Sequence, residues 1–429
     1  MRVALIAHYF PPDGGAGAQR PASFARYLSG FGIDPVFFTR LIAPEDRSFF
    51  DPEDPSLLPW TEGATIRRVP WKAGARAAWE EAVTRAVETE HARNPFAVLA
   101  ATCPPFELAP FAVKLAARIG VPALVDLRDP WALDGVRVFK HRAELRKEQA
   151  IMRDSLRGAR RVVANTPEAQ RAIRDFLGAG APVVDCITNG YEAEDFEGFG
   201  CKNPGAGPLR LHFSGHFLAS RLVGIQAAKE WVRIALGGRA EPIRSAGRGP
   251  GPLVGAIERL KTADPALFSR LTVHVAGKQQ PAALKIIESS TVAGSFVFHG
   301  ELPHDESLEL LRQADLLFLP LHGVAAGGRS RIVPGKAYEY FAARRPIVGA
   351  LPEGDARDFV RLLKAGPVCD PCDPAAICEA IRQAATWQVP DPAPEALPGF
   401  SRQEIAARFA ASLNAALAAD GATVPASSP

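Results

Sequence analysis

The chain has 429 residues, 47% hydrophobic and 23% charged, enough for two or three domains of a soluble globular kind. Its 50 basic and 47 acidic residues leave a net charge of +3, too small an excess to define a nucleic-acid-binding face. No apolar run reaches the roughly eighteen residues that a spanning helix needs. Residues 1–9 are apolar but short, and they lead straight into Pro11-Pro12-Asp13-Gly14-Gly15, which reads as a loop rather than a cleavage site. The six cysteines (Cys103, Cys186, Cys201, Cys369, Cys372, Cys378) are scattered, as expected of a chain kept reduced in the cytoplasm. Cys369 and Cys372 have C-x-x-C spacing, but no second pair and no nearby histidines complete a zinc site, so a turn with small buried residues is expected.

The first element is an apolar strand over residues 2–7, of the buried parallel type. A glycine-rich loop follows (Gly14, Gly15, Gly17), with Pro21 placed in the first turn of a helix whose apolar face carries Phe24, Tyr27 and Leu28. Residues 36–38 read as the second strand, so the chain opens as a Rossmann-like unit. Strands are expected at 97–100, 121–127, 162–164 and 183–187. Helices are expected at 106–119 and 141–161, and after Asn165-Thr166-Pro167. Residues 197–208, rich in glycine and proline, have the composition of a linker. Alternation then restarts, with strands at 209–213, 271–276, 296–299, 316–319 and 346–350. Helices are expected from 223, at 306–313, from Lys336 and at 375–385. Residues 237–251 read as a loop-like insertion or flap. Near the end, Ser401 and Glu404 have capping-box spacing ahead of an apolar stripe of Ile405, Phe409, Leu413 and Leu417, a helix expected to dock back on the first domain.

The pattern predicts an α/β chain of two Rossmann-like, doubly wound domains facing across a cleft. They are expected at 1–200 and 208–390, with a docking helix at 400–418 and a disordered tail at 421–429. Ligands of open α/β sheets bind beyond the carboxyl ends of the strands, so two such domains suit two substrates. A dinucleotide fold would want Gly-x-Gly-x-x-Gly directly after the first strand, which Gly14, Gly15 and Gly17 do not supply.

Several motifs recur in a fixed order. The second half has Gly300-Glu301-Leu302-Pro303-His304, then Ala314-Asp315 with a strand ending in Pro320, and then Gly327-Gly328-Arg329-Ser330-Arg331. These are followed by Lys336-Ala337-Tyr338-Glu339-Tyr340 and Arg345-Pro346-Ile347-Val348. The first half has His8-Tyr9-Phe10-Pro11-Pro12 before Gly14-Gly15, then Asp126-Leu127-Arg128-Asp129-Pro130-Trp131, Asn165-Thr166-Pro167 and Asn189-Gly190-Tyr191. Over residues 1–418 this order resembles the family-4 glycosyltransferases of GT-B fold. The resemblance implies a retaining, metal-independent enzyme that moves a sugar from a nucleotide-sugar donor to a hydroxyl acceptor. The donor is a substrate, and no cofactor is expected. No Asp-x-Asp occurs to hold a divalent ion, so cationic side chains and helix termini would replace the metal.

The leaving diphosphate gains negative charge as the glycosidic bond breaks, and glycine loops, cations and helix N-termini stabilise it. Arg329, Ser330, Arg331 and Gly335 lead into the helix at Lys336 and offer such a setting. The resemblance implies that Glu339 binds the donor ribose, that Gly215 and Arg221 lie against the diphosphate, and that Lys278 lies near the base. Many family members carry a second glutamate eight residues before the first, where this chain has Arg331. In the acceptor domain, Gly14, Gly15 and Gly17 let backbone approach a phosphate or the acceptor. Asp129 accepts the acceptor proton or orients its hydroxyl, with Arg128 beside it where relatives have a histidine. The alternative is a structural charge network of Asp126, Arg128 and Asp129 under Trp131. His8 ends the first strand and completes the catalytic candidates, with a structural role as the competing reading.

The expected partners are the donor and a sugar, lipid-linked or small-molecule acceptor, with no nucleic acid. The basic helix at 141–161 is either a solvated face or a peripheral contact with the inner face of a membrane. Two other function classes remain: a silent sugar-nucleotide-binding relative, and a sugar-nucleotide epimerase of the same fold.

Overall fold

In the computed structural model, residues 1–43, 53–218 and 225–418 are described. Arg221 and the 421–429 tail lie outside the described residues. The chain divides into two compact units. The first comprises Met1–Asp134, Arg146–Asn189 and the chain from Gly399 onward. The second comprises Gly135–Leu145 and Gly190–Pro398. The division falls at Asn189, ahead of the glycine- and proline-rich stretch at 197–208, and residues 135–145 group with the second unit.

The first unit runs β1 (Arg2–Ala7), α1 (Ala16–Tyr27), β2 (Asp34–Ile42), β3 (Thr65–Trp71), α2 (Arg76–Arg93), β4 (Val98–Cys103), α3 (Leu108–Arg118), β5 (Ala123–Leu127), α4 (Arg142–Gly158), β6 (Arg161–Ala164), α5 (Pro167–Leu177) and β7 (Val183–Cys186). Its sheet is parallel, in the order β3-β2-β1-β4-β5-β6-β7. β4 and β5 are buried along their whole length and β1 nearly so, as strands covered by helices on both faces must be. α1 begins at Ala16, not at Pro21. Gly15 takes φ 76°, a left-handed turn that starts the helix early, and Pro21 falls inside it. β3 and α2 were not foreseen.

The second unit runs β8 (Leu209–Ser214), α6 (Ile225–Ala235), β9 (Ile243–Arg244), α7 (Gly251–Ala263), α8 (Pro265–Arg270), β10 (Leu271–Ala276), α9 (Pro281–Glu288), β11 (Phe296–Gly300), α10 (His304–Gln313), β12 (Leu316–Pro320), β13 (Gly323–Val324), α11 (Lys336–Ala343), β14 (Ile347–Ala350), α12 (Asp355–Leu362), β15 (Val368–Cys369) and α13 (Pro374–Ala384). Its main sheet, again parallel, has the order β11-β10-β8-β12-β14-β15. In each sheet the order reverses beside the first strand, at β1/β4 and at β8/β12. Those are the points where doubly wound sheets open a crevice at their carboxyl ends.

The last helix, α14 (Arg402–Leu417), belongs to the first unit's core. The Ser401 hydroxyl accepts from the Glu404 N–H at 3.3 Å, and Ile405, Phe409 and Leu413 pack with Val3, Leu5 and Phe24. The stripe stops there, since Leu417 is 47% exposed. Phe409 stacks on Phe24 with ring centroids 4.1 Å apart. Phe409→Ala should therefore destabilise the first unit by about 3–5 kcal/mol. Urea unfolding followed by near-UV circular dichroism would show it as an earlier transition, and an unchanged midpoint would remove α14 from the core.

Candidate functional site

At the carboxyl end of β8, the chain must turn sharply beside two other strand ends. Gly215 takes φ 121° and Gly277, after β10, takes φ 115°. A Cβ on Gly277 would stand 2.7 Å from the Gly215 carbonyl oxygen, so only glycine fits that approach. Gln279 fastens the two turns. Its amide donates to the Gly215 and Gly277 carbonyls at 2.7 and 2.8 Å, and its oxygen accepts from the Phe217 N–H at 2.9 Å.

α11 is clamped to the same strand end through residues on one face. The Lys336 ammonium donates to the Ser214 carbonyl at 2.7 Å and lies 3.8 Å from the centre of the Phe213 ring. One turn on, the Tyr340 hydroxyl accepts from the Ser214 N–H at 2.8 Å. Lys336 is only partly buried as a residue, yet its ammonium is enclosed. Loss of hydration pushes its pKa well below the usual lysine range, and the nearby Arg248 charge pushes it further down. Glu339, half-buried, works in the opposite direction. Lys336 and Arg248 thus both bring positive charge to this strand end, a setting that favours an anion. Gly335 is exposed at the start of α11, and Lys278 is exposed beyond Gly277.

The glycine loop before α11 is stitched to the turn after β14. The Ser330 N–H donates to the Glu353 carbonyl at 2.7 Å, and a Cβ on Gly354 would stand 2.3 Å from the Ser330 oxygen. Arg329 is bonded to Asp358, and Arg331 pairs with Glu241 at 2.6 Å. Both guanidiniums are therefore held by carboxylates. A cavity of about 720 Å³ opens here, lined by Gly327, Gly328, Arg329, Glu353, Arg357 and Asp370 among others.

In the first unit, Arg20–Asp126 and Arg40–Asp13 are buried ion pairs. Arg20 donates to both Asp126 oxygens at 2.9 and 2.8 Å, and to the Thr188 and Ile187 carbonyls at 2.7 and 3.1 Å. Both side chains are almost wholly enclosed, so this carboxylate is structural. Arg128 donates to the Cys103 and Pro104 carbonyls, each at 3.3 Å, and burial lowers its pKa. Its guanidinium lies against the glycine loop, 3.3 Å from where a Gly17 Cβ would be, with Tyr9 on the other side at 3.2 Å. Asp129 beside it is half-buried. Gly14 lies against Asp54 and Gly15 starts α1. His8 sits in an aromatic cage of Tyr9, Trp71 and Trp79 and meets the Arg40 guanidinium at 3.3 Å. An apolar cavity of about 550 Å³, lined by Leu41, Ile42, Pro70, Trp71 and Trp79, opens at the carboxyl ends of β2 and β3.

Residues 14–190 match the glycosyl transferase 4-like domain, and residues 248–386 match the glycosyl transferases group 1. The chain belongs to the family-4-like glycosyltransferases. A D-inositol 3-phosphate glycosyltransferase of Thermomonospora curvata is 30% identical over 225 residues, covering 51% of this chain and 47% of that protein. The chain spans about half the length of the curated relatives it matches. Among solved structures, sucrose-phosphate synthase of Thermosynechococcus elongatus has a TM-score of 0.61 at 13% identity, covering 96% of this chain and 98% of that one. Anabaena HepE, solved in complex with UDP, has a TM-score of 0.58 at 14% identity, covering 97% and 100%. At these identities the likeness shows the fold, which is GT-B.

In the second unit, the structure brings Gly215, Lys336 and Glu339 together and leaves Lys278 exposed and Arg329 and Arg331 bonded elsewhere. Sequence reasoning missed Arg248, Gln279 and Tyr340. Arg248 hides in the run of glycines and prolines at 237–251. It returns to the site because the Leu218 N–H donates to its carbonyl at 2.9 Å. The basic helix α4 is also partly engaged within its own unit. Arg153 lies over Phe176, while Arg157 and Arg160 donate to backbone carbonyls. No described helix is long and apolar enough to cross a membrane, and no metal-binding cluster of His, Cys, Asp or Glu occurs among the described residues.

Beneath the site, burial pushes His212 down to about 3 and His322 to about 4. Both stay neutral in the folded unit, while the unfolded chain takes up protons below about 6.5. The second unit should therefore lose stability as the pH falls from about 6.5 through 4, with His322 alone worth on the order of 3 kcal/mol. His322→Leu should flatten that dependence in urea midpoints measured from pH 7 to 4. An unchanged slope would show that His322 is already protonated in the fold.

Proposed function

We propose that the chain transfers a glycosyl group from a nucleotide-sugar donor to a hydroxyl acceptor, with retention and without a metal ion. The observation that carries this reading is the enclosed Lys336 ammonium beside Arg248, set against the Gly215 turn at the β8/β12 crevice. A diphosphate placed there meets two cations and the N-terminus of α11, which together stabilise the charge that develops on the leaving group. Glu339, one turn into α11, takes the ribose hydroxyls, and the 720 Å³ cavity beside Gly327 and Gly328 takes the base. HepE's complex with UDP supports a nucleoside diphosphate as the ligand.

In the first unit, Asp129 orients or deprotonates the acceptor hydroxyl, with Arg128 and the Gly14–Gly17 backbone as its polar setting. His8, caged by rings, holds the Tyr9 side of that loop. The apolar cavity at Trp71 and Trp79 supports an acceptor that carries an apolar portion. Retention rests on the family resemblance, and metal independence on the cations that stand where an ion would otherwise act.

Arg331 favours a second reading, a silent nucleotide-sugar-binding relative, because its charge is paired with Glu241 where many relatives have a glutamate. Thermal melts with UDP, GDP, ADP and TDP and their sugar conjugates, with and without EDTA, test both. One nucleotide series should raise the melting temperature equally in both conditions. Lys336→Met should weaken that binding on the order of ten- to hundred-fold, since it removes a charge-assisted bond. It should also stabilise the ligand-free protein by removing a desolvated ammonium. No response to any nucleotide would sink the donor site. Binding without sugar transfer or donor hydrolysis would select the silent relative.

A further inference from the structure

We infer that α6 is a docking element for an anionic lipid surface. The helix lies in the excursion between β8 and α7, and several of its described apolar side chains are turned to solvent. Trp231 is 72% exposed, Val232 57% and Leu236, just past its end, 55%. At the helical angle of about 100° per residue, Ala228, Trp231, Val232 and Ala235 fall on one arc, and Lys229, Glu230 and Arg233 on the other. A tryptophan this exposed on an amphipathic helix is unusual for a surface that meets only water, and indole favours the headgroup zone of a bilayer.

The charges around this arc select the occupant. Glu230 is bonded to Arg239 at 2.9 Å, which leaves Lys229 and Arg233 as the helix's exposed charges. Past the helix end, the Arg142 N–H donates to the Leu236 carbonyl at 2.9 Å and the Phe139 N–H to the Gly238 carbonyl at 2.7 Å. These bonds fix the exposed Lys140 and Arg142 beside Leu236, with the Arg142 side chain against Gly237. Glu144 accepts from the Lys140 backbone N–H and also pairs with the Lys140 ammonium at 3.9 Å, an exposed pair that offsets part of that charge and leaves Arg142 as the stronger cation here. An apolar arc bordered by Lys140, Arg142, Lys229 and Arg233 repels a second copy of itself and attracts an anionic bilayer. The expected mode is a helix lying in the interface, its apolar arc down and its cations at the phosphates. The proposal does not depend on the transferase reading, because it needs no nucleotide.

The test uses the full chain and sedimentation with vesicles of phosphatidylcholine, with and without phosphatidylglycerol. Binding should require the anionic lipid and weaken when salt is raised from about 0.1 to 0.5 M. Trp231→Ser with Leu236→Ser should weaken it on the order of ten-fold or more, and Lys229→Glu with Arg233→Glu should do so even at low salt. Brominated lipid should quench the wild-type emission more than that of Trp231→Phe. The melting temperatures of the variants, with and without nucleotide, should match the wild type, which separates loss of docking from loss of folding. Three outcomes would overturn the proposal: no sedimentation, equal sedimentation of wild type and variants, or self-association abolished by the same substitutions in light scattering.

Discussion

The second unit is organised around one largely desolvated ammonium. Lys336 lies beneath the Gly215 turn, where a Cβ at residue 215 would crowd its Nζ at 3.1 Å and the φ of 121° favours glycine. Enclosing a charge costs more than one carbonyl and one ring face return, and its depressed pKa is the sign of that deficit. What the fold gains is position. Lys336 and Tyr340 each grip Ser214, so α11 cannot slide along β8, and Gln279 ties the turns after β8 and β10 at the same level. The same residues that hold α11 to β8 thus keep a positive charge at the strand end, where the proposed diphosphate would meet it.

The first unit offers an instructive contrast. Arg20 and Asp126 are buried as deeply, but every face of that pair is occupied: two bonds join the partners and two more reach carbonyls near β7. A satisfied network of this kind fixes the glycine loop's helix to the sheet and has nothing left to offer a ligand. Arg128, two residues beyond Asp126 and just past the end of β5, donates to the Cys103 and Pro104 carbonyls and sits against the glycine loop itself. The sequence presents Asp126, Arg128 and Asp129 as one charged cluster. The fold divides it, giving Asp126 to the framework and turning Arg128 toward Gly17.

Legibility followed the range of the interactions involved. Buried parallel strands announce themselves by apolar runs, and the helix starts at Thr166 and Ser401 by their caps, each of which accepts the expected backbone N–H. Lys336 and Glu339 were readable because the motif is local. β3 and α2 were not, because Thr65–Trp71 alternates little and α2 buries only Trp79, Val83 and Val87 among many charges. α7 was masked by the glycine and proline run before it. Arg248, Gln279 and Tyr340 act through partners 88, 62 to 64 and 126 residues away, so nothing near them in sequence could reveal their roles.

The excursion between Leu218 and Arg248 deserves weight for a geometric reason. Connections from a strand to its helix in such folds usually take about two to six residues. Here the chain leaves the site at Leu218, builds α6 and β9, and returns at Arg248 through a backbone bond that closes the base of the loop. On the way it supplies Glu241 to Arg331 and pairs β9 with β13. The excursion is thus fastened to the rest of the second unit by backbone bonds and an ion pair, whereas α6 presents its apolar arc outward. An added segment that served only to bring Arg248 home would have no use for an exposed tryptophan on a helix whose other face carries cations. The division of labour within one loop, an anchored base and an outward apolar helix, is the physical reason to treat α6 as a surface with its own partner rather than as part of the nucleotide site.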